Sequence, residues 1–374
     1  MSAPPPALAR DEAFARIRLL RSPNVGPISY RQLLLRFGTA AAALDALPDL
    51  ASRGGMAYRA APERRVVDEI AAVRRMGARY LFHDAPEYPA ALRQLDSAPP
   101  ILTYRGDAAL ASRLSVAVVG ARNASAAAVK LAREFAGALS EAGVTVVSGL
   151  ARGIDGAAHR GALTGAGGTI GVIASGIDVA YPPEHRELQE QVALQGLLLA
   201  EQPPGTEPLG RHFPARNRII AGLAAGTLVV EAAPKSGSLI TARLAGEAGR
   251  EVMAVPGSPL DTRATGCNQL IRDGAVLVQT PDDVLELIRG FAGTPRSSFR
   301  EALPRAAFED DDRALAETEE PAAIVHLLGI APVGVDELIR QSGQPAAAVQ
   351  LALLELEIAG SLVRHAGGRV SLAA

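Results

Sequence analysis

Cysteine, lysine and tryptophan are nearly missing from these 374 residues, and each shortage closes off a class of function. One cysteine, Cys267, allows neither an intrachain disulfide nor a cysteine-based zinc site. Tryptophan is absent and aromatics make up 4%, so any surface that stacks bases must use very few rings. Lysine occurs only at Lys130 and Lys235; nearly all positive charge is arginine, and the net charge is −2. A chain that coats duplex DNA without selectivity is usually basic overall, so a nucleic-acid site here has to be a local concentration of arginine. No apolar run approaches the ~20 residues that cross a bilayer, and Met1–Arg10 has no apolar signal core, so a cytoplasmic, non-membrane protein is expected.

What is abundant is apolar: 48% of the chain, ample for more than one core. Residues 1–105 read as a helical domain. Helix periodicity runs from Asp11 to Arg21, a Gly/Pro turn (Ser22–Ile28) follows, and a second helix covers Ser29–Phe37. This is the outline of a helix-hairpin-helix or SAM-like unit, whose turn either touches a DNA phosphate or serves packing alone. Tyr80–His83 and Ile101–Tyr104 look like short strands leading into the next domain.

Residues 106–290 alternate strand and helix. The strand candidates are Val116–Gly120, Val144–Ser148, Thr169–Ala174, Leu197–Ala200, Leu228–Glu231, Val252–Val255 and Val276–Val278. They are continuous apolar runs, as expected of strands buried on both faces, and helical stretches separate most of them. The pattern predicts a Rossmann-like, doubly wound, mostly parallel sheet, with ligands at the carboxyl ends of the strands. Residues 291–320, rich in Pro, Ser and acid, read as a linker. Residues 321–374 read as three helices and a hairpin, a winged helix. The third of those helices carries two Glu and no Arg or Lys, which favours a protein contact over duplex binding.

Five successive strand ends carry glycine, arginine or hydroxyls. The first, Gly120-Ala-Arg122, is not Gly-x-Gly-x-x-Gly, so no dinucleotide cofactor is expected, yet a helix N-terminus beside Arg122 suits an anion. The second contains Ser148, Gly149, Arg152 and Gly153, the glycines permitting close approach to a ligand. Asp155 and His159 in the same stretch invite an acid–base reading, but no nucleophile stands with them, and a structural role is favoured. The third has Gly176, Tyr181 and Arg186, with Tyr181 either a stacking face or a packing ring. The richest is Arg211-His-Phe213-Pro-Ala-Arg216-Asn217-Arg218. Phe213 can stack a base; Arg216 and Arg218 point different ways, one to a ligand and the other into the fold; Asn217 reads base edges or fixes the turn. The fifth, Lys235-Ser236-Gly237-Ser238, makes an anion nest without the Walker A pattern, so no ATP hydrolysis is expected. The convergence on one rim points to a polyanion site with no catalytic residue and no metal.

In this order the motifs Gly120-Ala-Arg122, Ser148-Gly-Leu-Ala-Arg-Gly-Ile-Asp155 with His159, Gly176-Ile-Asp178 with Tyr181-Pro182, Phe213-Pro-Ala-Arg-Asn-Arg-Ile-Ile220, Lys235-Ser-Gly-Ser238 and Pro256-Gly257 resemble the DprA/Smf family, DNA-processing protein A. The resemblance implies a non-catalytic protein that binds incoming single-stranded DNA in natural transformation. It further implies a homodimer through the Rossmann-like domain and help in loading RecA recombinase. Two departures stand out. Ala121 replaces the usual Ser of the first turn, and Pro183 stands where a basic residue is frequent. The alternative is a nucleotide phosphoribohydrolase on a similar core, but its Pro-Gly-Gly-x-Gly-Thr-x-x-Glu loop is not found here.

Overall fold

The strand-forming runs of the middle of the chain are apolar on both faces, and a computed structural model, which describes residues 8–289, 322–365 and 367–373, places them in one sheet. The 291–320 linker expectation lies outside the described residues. The chain divides into two units, residues 69–299 and residues 1–68 with 300–374.

The N-terminal segment forms α1 (Arg10–Arg21), α2 (Pro27–Phe37), α3 (Ala40–Arg53) and α4 (Glu63–Arg75). Then follow β1 (Arg79–Phe82), α5 (Ala90–Arg93), β2 (Ile101–Gly106), β3 (Ser115–Val119), α6 (Ala126–Glu141), β4 (Thr145–Ser148), α7 (Ile154–Ala162) and β5 (Thr169–Gly176). Next come α8 (Arg186–Gln195), β6 (Leu197–Gln202), α9 (His212–Leu223), β7 (Gly226–Val229), α10 (Gly237–Glu247), β8 (Glu251–Ala254), α11 (Thr265–Arg272), β9 (Val276–Leu277) and α12 (Pro281–Ile288). The C-terminal segment has α13 (Ala322–Val325), β10 (Val333–Gly334), α14 (Val335–Ser342), α15 (Ala346–Ile358), β11 (Leu362–His365) and β12 (Arg369–Leu372).

The sheet order is β1-β2-β6-β5-β4-β3-β7-β8-β9. From β6 to β9 every pairing is parallel, so the strand ends of that stretch share one rim. Each strand buries alternate residues on opposite faces. Val116 and Val118 of β3 pack with Phe135 and Leu139 of α6, while Ala117 and Val119 face Ile219, Ile220 and Leu223 of α9. The two short strands expected ahead of the domain belong to it: β1 pairs antiparallel with β2, and β2 with β6. A boundary at residue 105 therefore cuts the sheet, which starts at Arg79.

The other unit joins the two ends of the chain. β10, β12 and β11 form a small antiparallel sheet, and with α13 to α15 they make the winged helix. Its third helix, α15, is apolar almost all round, and the structure gives each side a partner. Val349, Ala352, Leu353 and Leu356 face the winged-helix core, whereas Leu351, Leu354 and Ile358 join Leu33, Leu47 and Leu50 of the N-terminal helices. Polar contacts edge that seam: Asn24 Nδ2 donates to the Ile358 carbonyl (3.0 Å), Gln32 Nε2 to Gln350 Oε1 (2.9 Å), and Arg53 pairs with buried Glu355 (3.4 Å). Gly54 lies directly on α15; a Cβ there would stand 2.5 Å from that of Ala359.

Leu354→Ala should open this seam, at a cost of roughly 2–5 kcal/mol for a buried leucine. Amide hydrogen exchange would then rise in residues 40–53 and 346–358 and stay unchanged in 115–119. Equal exchange in wild type and variant would contradict the packing described.

Candidate DNA-binding rim

Two arginines of the α9 motif were expected to divide between ligand and fold, and the structure turns both inward. The Arg216 side chain is buried. Its Nη1 donates to the Gly149 carbonyl (2.6 Å) and to the Val172 carbonyl, and its Nε to Asn217 Oδ1 (3.2 Å). It thereby ties the end of β4 to β5. Arg218 pairs with Glu201 of β6 (2.5 Å) and is largely covered. Asn217 is buried too, donating to the Gly237 carbonyl (3.3 Å), so it fixes a turn rather than reading bases. The expected DNA contacts from Arg216 and Asn217 are corrected, since internal partners take up both groups; Arg218 is held by Glu201 through Nη2, while its buried Nη1 has no hydrogen-bond partner among the described residues.

The glycines of the strand ends were read as room for a ligand. They are room for neighbouring turns. A Cβ on Gly149 would stand 2.2 Å from Arg216 Nη1, one on Gly153 2.3 Å from the Ala121 carbonyl oxygen, and one on Gly120 2.9 Å from that of Glu231. Gly176 packs on the Pro203 carbonyl oxygen in the same way (2.6 Å). Ser148 is buried and donates to the Val118 carbonyl (2.7 Å). Ser238 is buried, its hydroxyl 2.8 Å from that of Ser236.

Asp155 and His159 are locked into the β4–α7 turn. Asp155 Oδ2 accepts the Gly149 and Ala151 amides (3.1 and 3.4 Å), so those amides do not face a ligand. Burial pushes its carboxyl up and pushes Arg216 down to about 10, and each group opposes the other's shift. His159 Nε2 accepts the Leu150 amide (3.3 Å), and its Nδ1 lies 2.8 Å from Thr169 Oγ1, which itself donates to the Val146 carbonyl (2.8 Å). Those partners fit a neutral ring protonated on Nδ1. Burial first, then the nearby His185, Arg216 and Arg160, lowers the His159 pKa to about 3. His185, which the motif reading passed over, donates from Nδ1 to the Leu150 carbonyl (2.9 Å). Leu150, at φ +55°, is thus gripped by one histidine at its N–H and another at its C=O.

What remains open on the rim is a small aromatic and cationic group. The Arg122 guanidinium lies 4.8 Å over the Phe213 ring, and the Tyr181 ring, 42% exposed, is 5.6 Å from Phe213 at 56°. Arg122 is exposed, and its charge acts on the buried Asp155 carboxyl. Arg186, Arg211, Lys235 and Gly237 are exposed as well, while Arg152 pairs with Glu184. Sequence reasoning missed Glu231 and Ser125, which hold the turn that carries Arg122; the only signal was a buried acid at the end of a strand.

A doubly wound, mostly parallel sheet with an arginine–aromatic rim, accompanied by a helical segment and a winged helix, defines a Rossmann-like protein of the DNA-processing class. Family models match throughout: DNA recombination-mediator protein A over residues 79–289, the DprA-like N-terminal HHH domain over 10–72 and the DprA winged helix domain over 308–368. The chain belongs to the DprA/Smf family. It is similar to Protein Smf of Synechocystis sp. (35% identity over 316 residues, 78% of this chain and 79% of the relative). It is also similar to DNA processing protein DprA of Streptococcus pneumoniae (48% over 198 residues, 53% and 70%). The X-ray structure of Streptococcus pneumoniae DprA superposes with TM-score 0.62 at 35% identity, covering 75% of this chain and 98% of that one. DNA processing protein A from Helicobacter pylori, whose structure is described as revealing a unique single-stranded DNA binding mode, superposes at 0.51 with 29% identity, covering 56% and 94%. Among the described residues no helix is long and apolar enough to cross a membrane.

Arg216→Ala leaves Asp155 buried without its opposing charge and should destabilise the Rossmann-like unit by roughly 3–5 kcal/mol, read as a lower thermal midpoint. A variant of unchanged midpoint would deny the brace. His159 adds a pH dependence. Its pKa is about 3 folded and near 6.5 unfolded, so between those values the unfolded chain binds more protons. Stability from this group is complete above pH 6.5 and falls as pH drops toward 3, by up to roughly 1.4 kcal/mol per unit. Urea midpoints of wild type should therefore fall more steeply across that window than those of His159→Gln.

Proposed function

We propose that this protein binds single-stranded DNA on the rim built from Arg122, Tyr181 and Phe213, shields it without chemical change and passes it to a RecA recombinase in transformation and recombination. The observation that carries the reading is the stacked group itself: a guanidinium over one ring and a second, exposed ring beside it, at the carboxyl ends of parallel strands. Base faces are available to such rings only when unpaired. Arg122, with Arg186, Arg211, Lys235 and the Ser236–Gly237 turn, supplies phosphate contacts on a chain whose overall charge gives no general attraction to DNA. The likeness to the Helicobacter pylori protein supports the same ligand.

A non-catalytic role is supported by the fate of the acid–base pair. Asp155 and His159 are both turned onto backbone groups, and His159 is held neutral far below physiological pH. The RecA partnership and a cytoplasmic place in transformation are the part of this reading that membership of the family supports. A homodimer through the Rossmann-like domain is supported by the two-residue edge strand β9, where Leu277 is 46% exposed.

Fluorescence anisotropy with labelled oligo-dT and a duplex of the same length, across a salt series, tests this reading. Wild type should prefer the single strand and weaken as salt rises. Phe213→Ala or Tyr181→Ala should lose about 1–3 kcal/mol per stacked base, roughly tenfold in affinity. Arg122→Ala should weaken binding and reduce the salt slope by about 0.7 with an unchanged thermal midpoint. Equal affinity for the duplex, or no response to salt, would overturn it.

A further inference from the structure

Open α/β sheets take their ligands where the strand order reverses, and the first helix N-terminus there receives the anion. In this chain the reversal lies between β3 and β7. The protein's own carboxylate already occupies that place. Glu231, two residues beyond β7, is 8% exposed. Its Oε1 accepts the Ser125 amide (2.9 Å) and its Oε2 the Ser125 hydroxyl (2.7 Å), while its backbone carbonyl accepts the Ala121 amide (2.7 Å). Ser125 Oγ in turn accepts the Ala128 amide (3.1 Å) as the N-cap of α6.

Arg122 stands between Ala121 and Ser125, so Glu231 holds its turn on both sides. The third restraint is Gly153, which rests against the Ala121 and Arg122 carbonyls so closely that a Cβ would sit 2.3 and 2.7 Å from them. A negative charge beside a site for a polyanion is unfavourable on Coulomb grounds alone. Its presence makes sense if geometry outweighs that repulsion.

We infer that Glu231 is a positioning residue for DNA binding: through Ser125 and Ala121 it fixes the β3–α6 turn so that Arg122 lies over Phe213. With Ser125 it also takes the Ser125 and Ala128 amides at the switch point from a nucleotide phosphate and directs the strand to the Arg122–Phe213–Tyr181 group. This inference rests on the single-strand-binding reading.

The sign of a single substitution tests it. If Glu231 acted only as a charge, Glu231→Ala would tighten oligo-dT binding. As a positioning residue its loss weakens binding by roughly fivefold, the size of a lost helix-cap interaction. Glu231→Gln, which keeps an acceptor for the Ser125 amide, stays within about twofold of wild type by the same reasoning, since the contact survives without its charge. In an Arg122→Ala background the further loss from Glu231→Ala disappears, because both act through one group. Should Glu231→Ala fail to fold by circular dichroism, Ser125→Ala removes the other half of the contact and carries the same expectation. Binding by the alanine variant equal to or tighter than wild type, a full loss persisting without Arg122, or failure of Glu231→Gln to rescue would each overturn the inference. Absence of single-strand binding by wild type would overturn the underlying reading and this inference with it.

Discussion

A buried guanidinium organises the carboxyl rim of the sheet. Arg216 reaches from α9 to the carbonyls of Gly149 and Val172, so β4, β5 and α9 meet at one side chain. A charge in that position needs opposition, and Asp155 provides it while its own oxygens order the amides of Gly149 and Ala151. The glycine requirement at 149 follows from the arginine, since any Cβ would occupy the guanidinium's place. Once this turn is set, Leu150 takes its left-handed conformation between His159 and His185, and Gly153 can lie on the turn that carries Arg122. The exposed rim is the outer layer of a stack of turns whose inner layer is charged and held by internal hydrogen bonds.

That layering explains why so many motif residues of one chemical type have different jobs. Arg122 and Arg216 are both arginines at strand or helix ends, yet one is open to solvent and the other is enclosed. The difference lies in which element carries them. Arg122 sits in a turn above the sheet, whereas Arg216 and Asn217 lie on the face of α9 that packs toward the sheet and α10. The same division separates Phe213, one helical turn earlier and still partly open, from Ile219 and Ile220 in the core.

How much was legible follows from these particulars. The central parallel strands β3, β4, β5 and β7 were readable because they are buried on both faces, which leaves continuous apolar runs with little ambiguity. Strands β1 and β2 were visible as strands, but β6, the strand that joins β2 to the sheet, lies almost a hundred residues downstream, and nothing local marks a non-local pairing. Rim glycines were legible as positions of close approach; whether a ligand or a neighbouring turn does the approaching depends on tertiary contacts absent from spacing. Arg216 and Arg218 were correctly set apart by direction, yet that spacing could not reveal that both turn inward, because Glu201 and Val172 belong to distant strands. Glu231 escaped notice since a lone acid at a strand end has no pattern until Ser125 is seen beside it.

The winged helix shows the converse, a composition plain in the sequence whose reason lies in packing. Helix α15 has no basic residue because both of its sides are packed against apolar cores. One side completes the winged-helix core, and the other completes the core of the N-terminal helices. An arginine on the second side would bury a charge among Leu33, Leu47 and Leu50, and the nearby acids Glu355 and Glu357 are already paired with Arg53 and Arg364. A helix apolar on both sides is what two cores sharing one element require. In this family member the helix that would enter a major groove instead joins the first fifty residues to the last fifty, and the exposed rings lie elsewhere, on the sheet rim.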